Sequence, residues 1–189
     1  MRKFVLSLAL TLILAGCNFV SDYGSTKESK MSGYVEYTNK TLNVSVLTPE
    51  SWKTQVTIGG VYVMRPADQE GIADISVSSS SVERLMGEGA SKSTTLDEYK
   101  AHRRAFITEE NIGPQLTVSM KKTTLSGHDA YELLYSMLPE GETEYLVFQE
   151  TFTVVEGTVY RLSYGVSKNN YDEYLEELGV IKTSYQILR

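Results

Sequence analysis

The sequence predicts an α+β fold in which a central antiparallel sheet is flanked by helices. Apolar and polar residues alternate in several short runs, a pattern typical of half-buried strands. Short turns such as Glu156-Gly157 join successive runs, and turns this short require antiparallel pairing. Two stretches with helical spacing follow separate groups of strands, and this order is typical of α+β folds.

The first 17 residues have the pattern of a bacterial lipoprotein signal. Arg2 and Lys3 precede the apolar run Phe4–Leu14, which is too short for a transmembrane helix of about 20 residues. Leu14-Ala15-Gly16-Cys17 resembles the lipobox, in which cleavage occurs between Gly16 and Cys17 and a diacylglyceryl group is added to the cysteine sulfur. The alternative is an ordinary signal peptide cleaved nearby, which would leave a free thiol.

Cys17 is the only cysteine, so the chain cannot form an internal disulfide. Lipidation would remove an exposed thiol, and two acyl chains such as palmitate would give stable anchoring. We therefore expect an extracytoplasmic protein on the outer face of the cytoplasmic membrane or on the outer membrane. Asn18, rather than Asp, favours the outer membrane if the cell has one.

The charge balance argues against two classes of partner. The formal net charge is −6, and removal of residues 1–16 would take away two cations. Nucleic acids and anionic lipid surfaces attract clustered cations, so we expect neither as a partner through charge.

Residues 17–32 are polar and rich in serine, which predicts a flexible tether after the lipidated cysteine. Residues 33–189 have the length of a single domain. This domain opens with the predicted strands Tyr34–Thr38 and Leu42–Leu47, which are joined by the turn Asn39-Lys40-Thr41.

Pro49 ends the second strand, and Trp52 follows. Residues 59–66 and 72–79 predict two more strands, and residues 87–95 predict a loop.

A helix is predicted from Thr95, because Thr95 and Glu98 form a capping box. Gly113-Pro114 ends it. Its predicted stripe towards the core consists of Leu96, Tyr99, Arg103, Phe106 and Ile107.

Four strands follow, and a second helix starts with Asn170 as its cap. Pro139–Glu142 and Glu156-Gly157 are the turns between the later strands. The predicted strands are Leu116–Leu125, Ala130–Leu138, Glu144–Val155 and Thr158–Val166. The apolar stripe of the helix consists of Tyr171, Tyr174, Leu175, Leu178 and Ile181.

Four short motifs occur in order over residues 40–189: Pro49-Glu50-Ser51-Trp52, Gly127-His128-Asp129-Ala130-Tyr131, Tyr160-Arg161-Leu162-Ser163-Tyr164 and Ser184-Tyr185. Together they resemble the PsbP-like (Mog1/PsbP) family. The resemblance implies an α/β/α sandwich and a partner-binding or assembly module, in some members a lipoprotein, rather than an enzyme. Residues 18–33 do not match the photosystem-binding segment of the plant proteins, so only the fold carries over.

The residues that carry chemistry give no catalytic site, and we expect no cofactor. His102 is predicted on the solvent side of its helix and His128 in a surface turn; the alternative is a zinc site at His128-Asp129. Ser119 and Lys122 match the SxxK spacing, but a strand places them on opposite faces. Residues 87–93 lack the glycine that a phosphate loop needs before Lys92.

Aromatic residues supply the candidate binding surface. Tyr34, Tyr37 and Trp52 would mark a partner surface if they are exposed together, although core packing is the usual role of such side chains. The sequence therefore favours a non-catalytic partner-binding or assembly lipoprotein with an envelope protein as its partner. The alternative is a lipoprotein that binds a small ligand or metal for transport or sensing.

Overall fold

The structure is a computed structural model that describes residues 24–57, 60–67, 73–110, 118–138 and 143–188. Its strands are β1 Gly24–Glu28, β2 Tyr34–Asn39, β3 Val44–Pro49, β4 Trp52–Val56, β5 Tyr62–Pro66, β6 Ala73–Ser81, β7 Val118–Leu125, β8 His128–Met137, β9 Leu146–Val155, β10 Thr158–Ser167 and β11 Gln186–Ile187. Its α-helices are α1 Val82–Met86, α2 Leu96–Glu110 and α3 Leu175–Ser184, and a 3₁₀-helix covers Lys168–Tyr174.

The strands form two antiparallel sheets. The larger has seven strands in the order β4-β5-β6-β10-β9-β8-β7, and the smaller has four in the order β1-β2-β3-β11. The α+β class therefore holds, but the prediction of one central sheet is wrong. Alternation shows that one face of β2 and β3 is buried, but it carries no information on which strand pairs with which.

A hydrophobic core lies on each face of the seven-stranded sheet. One face packs against α2 around Tyr99, Leu133 and Phe152. The other packs against the four-stranded sheet and α3, which contribute Val44 and Ile181 to a second core. The predicted α/β/α sandwich therefore needs a correction: α3 shares its side of the large sheet with a small sheet.

The prediction of a flexible tether over residues 17–32 is wrong for Gly24–Glu28. This segment forms β1, which pairs antiparallel with β2 from Gly24 opposite Asn39 to Glu28 opposite Val35. Residues 25–28 are all exposed, so the strand has no apolar face to produce an alternating pattern. Residues 17–23 lie outside the described part of the chain.

The capping box of α2 is confirmed. The backbone N–H of Thr95 donates to Glu98 Oε2 at 2.6 Å, and the N–H of Glu98 donates to Thr95 Oγ1 at 3.2 Å. Tyr99 and Ile107 are buried, as the stripe predicts. The predicted end at Gly113-Pro114 lies outside the described residues, as does the turn Pro139–Glu142.

Asn170 does not cap a helix. It lies inside the 3₁₀-helix, where its side chain donates to Glu173 Oε2 at 3.1 Å. The helical spacing of the apolar residues did not reveal this tighter turn before α3. The sequence also gave no signal for the short elements β4, α1 and β11.

Two hairpin turns have the same backbone conformation. Ser126-Gly127 joins β7 to β8, and Glu156-Gly157 joins β9 to β10. All four residues have positive φ, between 49° and 77°. Two consecutive residues of positive φ are typical of the type I′ turn, whose twist matches that of antiparallel strands.

Among the described helices, none has the length and apolar character needed to cross a bilayer.

Candidate partner-binding surface

The structure separates the three aromatic residues that the sequence suggested as one surface. Tyr37 is only 4% exposed, and its ring stacks on Tyr62 with centroids 3.5 Å apart and an interplanar angle of 3°. Its hydroxyl accepts a hydrogen bond from Asn39 Nδ2 at 2.7 Å. Tyr37 is therefore a core residue. The expectation that it lines a partner surface is wrong, because alternation along β2 turns it inwards.

Tyr34 and Trp52 are half-buried and lie near the start of α3. The Trp52 ring packs edge-on against Tyr174, with centroids 5.6 Å apart, and the next residue, Leu175, is 37% exposed. Met31 is 43% exposed, and its carbonyl accepts a hydrogen bond from the Tyr34 N–H at 3.3 Å. We call these four residues, Met31, Tyr34, Trp52 and Leu175, the distal patch.

The distal patch lies at the end of the domain opposite the start of β1. Gly24 pairs with Asn39 beside the β2–β3 turn, whereas Tyr34 pairs with Pro49 at the other end of the same sheet. Any segment attached before Gly24 therefore joins the domain away from the patch.

Acidic side chains form a rim on the α3 side of the distal patch, whereas the exposed Lys30 and Lys53 are next in sequence to Met31 and Trp52. Burial raises the pKa of Tyr34, and the charges of Glu177 and Glu176 in the first turn of α3 raise this pKa further. Asp172 and Glu173 precede Leu175 and are exposed. Apolar side chains with an acidic rim suit a partner segment that combines an apolar anchor with basic residues.

The histidines lie in two different environments. His102 is half-buried beside Tyr99, with ring centroids 6.4 Å apart, and its Nδ1 is buried without a hydrogen-bond partner among the described residues. The expectation that His102 faces solvent is therefore wrong. His128 is half-buried at the start of β8, directly after the Ser126-Gly127 turn. Within the described ranges, no group of three or more His, Cys, Asp or Glu side chains could hold a metal ion.

The other residues with catalytic or phosphate-binding spacing do not form such sites in the structure. Ser119 and Lys122 are exposed and lie three residues apart in β7, so the strand geometry does not bring them together. Gly87–Ser93 forms the connection between α1 and α2 rather than a strand-to-helix phosphate loop. Gly16 and Cys17 lie outside the described residues.

A groove of about 350 Å³ crosses the outer face of the four-stranded sheet. Two of its four charged side chains already pair with each other. Lys27 Nζ lies 2.9 Å from Glu36 Oε2, and the Ser45 hydroxyl donates to Glu36 Oε1 at 2.9 Å. Glu36 is therefore already bonded by two partners within the chain.

Sequence reasoning did not find the buried ion pair that connects α2 to the large sheet. Arg103 Nε donates to Glu150 Oε2 at 2.9 Å, and the Tyr135 hydroxyl donates to Glu150 Oε1 at 3.0 Å. Burial by itself raises the pKa of Glu150, but Arg103 and these hydrogen bonds lower it overall. The sequence did contain one indication of this ion pair, namely Arg103 within an otherwise apolar helical stripe. A cation on a buried helix face requires a partner of opposite charge.

The fold defined by this geometry is that of the PsbP/Mog1 proteins. No protein-family model and no curated protein sequence matches the chain. Comparison with solved structures does find matches, and it confirms the resemblance at the level of the fold.

Three of these structures come from distant organisms. Cyanobacterial PsbP from Synechocystis matches with a TM-score of 0.56 and 14% identity, covering 87% of this chain and 98% of its own. LpqN of Mycobacterium tuberculosis, involved in cell envelope biogenesis, matches with a TM-score of 0.52 and 15% identity. The match covers 77% of this chain and 83% of LpqN. The Saccharomyces cerevisiae Ran-binding protein Mog1p matches with a TM-score of 0.51 and 9% identity. The match covers 87% of this chain and 96% of Mog1p. Identities this low establish the fold and not the partner.

Proposed function

We propose that this protein is a non-catalytic binding module, attached to a cell-envelope membrane by lipid on Cys17, that presents the distal patch to a protein partner. The observation that carries the proposal is the separation of the two ends of the domain. The chain reaches Gly24 at one end, and the exposed Leu175 lies at the other. A tether at one end leaves the other free to contact a partner.

The similarity of fold supports the same class of function. One structural neighbour binds Ran and another is involved in cell envelope biogenesis, so this fold serves proteins that contact other proteins or act in the envelope. The proposed partner is an extracytoplasmic envelope protein with a basic and apolar segment, because the patch is apolar and its rim is acidic.

The anchor is tested with Cys17→Ser. We expect the variant to lose incorporation of labelled palmitate and to leave the membrane fraction, because no thioether to lipid can form. If the variant still incorporates label and still sediments with membranes, the proposed anchor is wrong.

The partner surface is tested by crosslinking and affinity purification from native membranes. Leu175→Glu should abolish recovery of a specific envelope protein, because it places a charge in the apolar centre of the patch. The matched control is Thr41→Glu in the exposed β2–β3 turn, which should leave recovery unchanged. Equal recovery in both variants, or recovery of the chain alone with a bound small molecule or metal, would contradict the proposal.

A further inference from the structure

The face of the seven-stranded sheet that packs against α2 is not covered evenly. Helix α2 packs over β8 and β9, where Leu133 and Phe152 are fully buried. The neighbouring part, on β6 and β10, is polar and half-exposed. Its side chains include Ser76, Ser78, Ser80, Arg161 and Ser163.

A depression of about 130 Å³ lies on this polar part of the sheet. Arg161 on β10 is directly opposite Ser78 on β6, so the two side chains share a face, and Ser80 follows two residues further on. Arg84 and Leu85 from the short helix α1 also line the depression, together with Val61, Ser79 and Val159.

The cations in the depression are not neutralised by direct ion pairs. Neither Arg84 nor Arg161 forms a side-chain hydrogen bond or ion pair within the described part of the chain, and none of the described residues lining the depression is acidic. The charge of Arg161 helps to lower the pKa of the nearby Glu150, but the hydrogen bonds to that carboxylate come from Arg103 and Tyr135.

A hydroxyl in the same depression also lacks a partner. Ser80 Oγ is buried and makes no hydrogen bond among the described residues. Buried polar atoms in folded proteins are almost always hydrogen-bonded, so an unpaired one requires an explanation. A ligand oxygen bound by the two arginines would lie within the same depression and supply the missing partner.

We propose that this depression binds a phosphate group of a small ligand, with Arg84 and Arg161 as the charged donors and Ser78 and Ser80 as hydroxyl donors. Guanidinium groups bind oxyanions through paired N–H donors. Donors from the strand floor and from α1 approach from different directions, which suits a tetrahedral oxyanion better than a planar carboxylate. The volume is below the roughly 300–1,000 Å³ of drug-sized sites, so it accommodates a headgroup rather than a whole large ligand.

The site lies on a different surface from the distal patch, so it is independent of the proposed partner. Leu175→Glu should therefore leave phosphate binding unchanged, and loss of phosphate binding should leave partner recovery unchanged.

The test is isothermal titration of the full chain in detergent micelles with inorganic phosphate at constant ionic strength. Arg161→Gln should raise the Kd at least about tenfold, because it removes a charge-assisted donor pair. Arg104→Gln, at an exposed position of α2, removes the same charge elsewhere and should leave the Kd unchanged. Arg84→Gln, also at an exposed position, should weaken binding even if Arg161→Gln impairs folding.

Three results would overturn the proposal: no phosphate binding, equal weakening by Arg104→Gln, or binding of acetate as tight as that of phosphate. Glycerol 3-phosphate and phosphatidic acid in the micelles distinguish a soluble ligand from a lipid headgroup. If Arg161→Gln weakens the binding of either compound, the result supports the site. If the substitution weakens the binding of neither compound, the proposed site is rejected.

Discussion

At the scale of single residues, Arg103 and Glu150 form a buried ion pair between α2 and the large sheet. Because the folded pKa of Glu150 is lowered, its contribution to stability is present above the unfolded pKa of about 4.3. This contribution is lost as the pH falls through the folded pKa. Burial tends to lower the pKa of Arg103, but the charge of Glu150 raises it overall, so the arginine stays charged.

Replacing Arg103 by Met should destabilise the protein by about 3–5 kcal/mol at pH 7, because it leaves the Glu150 carboxylate buried without its hydrogen-bonded cation. The double variant Arg103→Met/Glu150→Leu should be more stable than the single variant. Urea unfolding measures both. Lys27→Met, which removes an exposed pair with Glu36, should change stability by less than about 1 kcal/mol.

The pH dependence of unfolding gives a second readout of the same pair. The unmodified protein should lose stability below about pH 4.3 as Glu150 takes up a proton. In Arg103→Met the unpaired, buried Glu150 has a raised pKa, so acid should reduce the destabilisation. A constant difference between the two proteins from pH 7 to pH 3 would show that the pair is not coupled to folding.

At the scale of elements, one carboxylate connects α3 to the edge of the large sheet. Glu132 on β8 is 2.7 Å from Lys121 Nζ on β7 and 2.7 Å from Lys182 Nζ on α3. Burial alone raises the pKa of Glu132, but the two lysines lower it overall. The lysine side chains differ in exposure, which is 72% for Lys121 and 22% for Lys182.

This difference predicts unequal effects from matched substitutions. Lys182→Met should destabilise the protein by about 1–3 kcal/mol, because a sheltered charge-assisted hydrogen bond is lost. Lys121→Met should change stability by less than about 1 kcal/mol, because water replaces an exposed partner. The two variants are compared by their denaturant unfolding midpoints, provided that the dependence of the unfolding free energy on denaturant is unchanged. A larger loss of stability in Lys121→Met than in Lys182→Met would contradict the proposed role of Lys182 in holding α3 against the sheet.

The two type I′ turns differ in what surrounds their glycines. A Cβ added to Gly157 would lie 2.7 Å from the Cα of Lys92, whereas one added to Gly127 would meet nothing within 4 Å. Both glycines have positive φ, near 75°. Both the positive φ and the close approach of Lys92 therefore favour glycine at position 157, whereas only the positive φ favours glycine at position 127.

Gly127→Ala should cost about 1–2 kcal/mol, the penalty for a left-handed backbone at a non-glycine residue. Gly157→Ala should cost about 1–3 kcal/mol more, because the α1–α2 connection at Lys92 must also move. Thermal unfolding of the two variants, monitored by circular dichroism, measures the difference. Equal losses of stability in the two variants would mean that the α1–α2 connection moves away from the added methyl group without a measurable energetic penalty.

The elements that the sequence predicted well are those whose signals are local. The capping box at Thr95 and the turn at Glu156-Gly157 depend on a few adjacent residues, and both occur as expected. The small sheet includes the pairing of β11 with the distant β3, which local alternation does not specify, and the exposed strand β1 has no apolar face to produce an alternating pattern. The Arg84 and Arg161 depression likewise joins residues far apart in sequence.

At the scale of the whole molecule, the domain has two ends with different surroundings. The start of β1 and the β2–β3 turn lie at one end, and the distal patch with its acidic rim lies at the other. A lipid on Cys17 would hold the first end near a membrane, because the intervening segment is about seven residues and spans at most roughly 25 Å when extended. The distal patch would then face away from the lipid surface.

The most direct test of this arrangement is site-specific photocrosslinking in native membranes, with a photoreactive residue at position 175 or at position 40. Position 175 lies in the distal patch, and position 40 lies in the exposed β2–β3 turn. The account predicts that position 175 gives one specific crosslinked envelope protein and that position 40 does not. Equal crosslinking from both positions, or none from position 175 in the folded, membrane-attached protein, would contradict it.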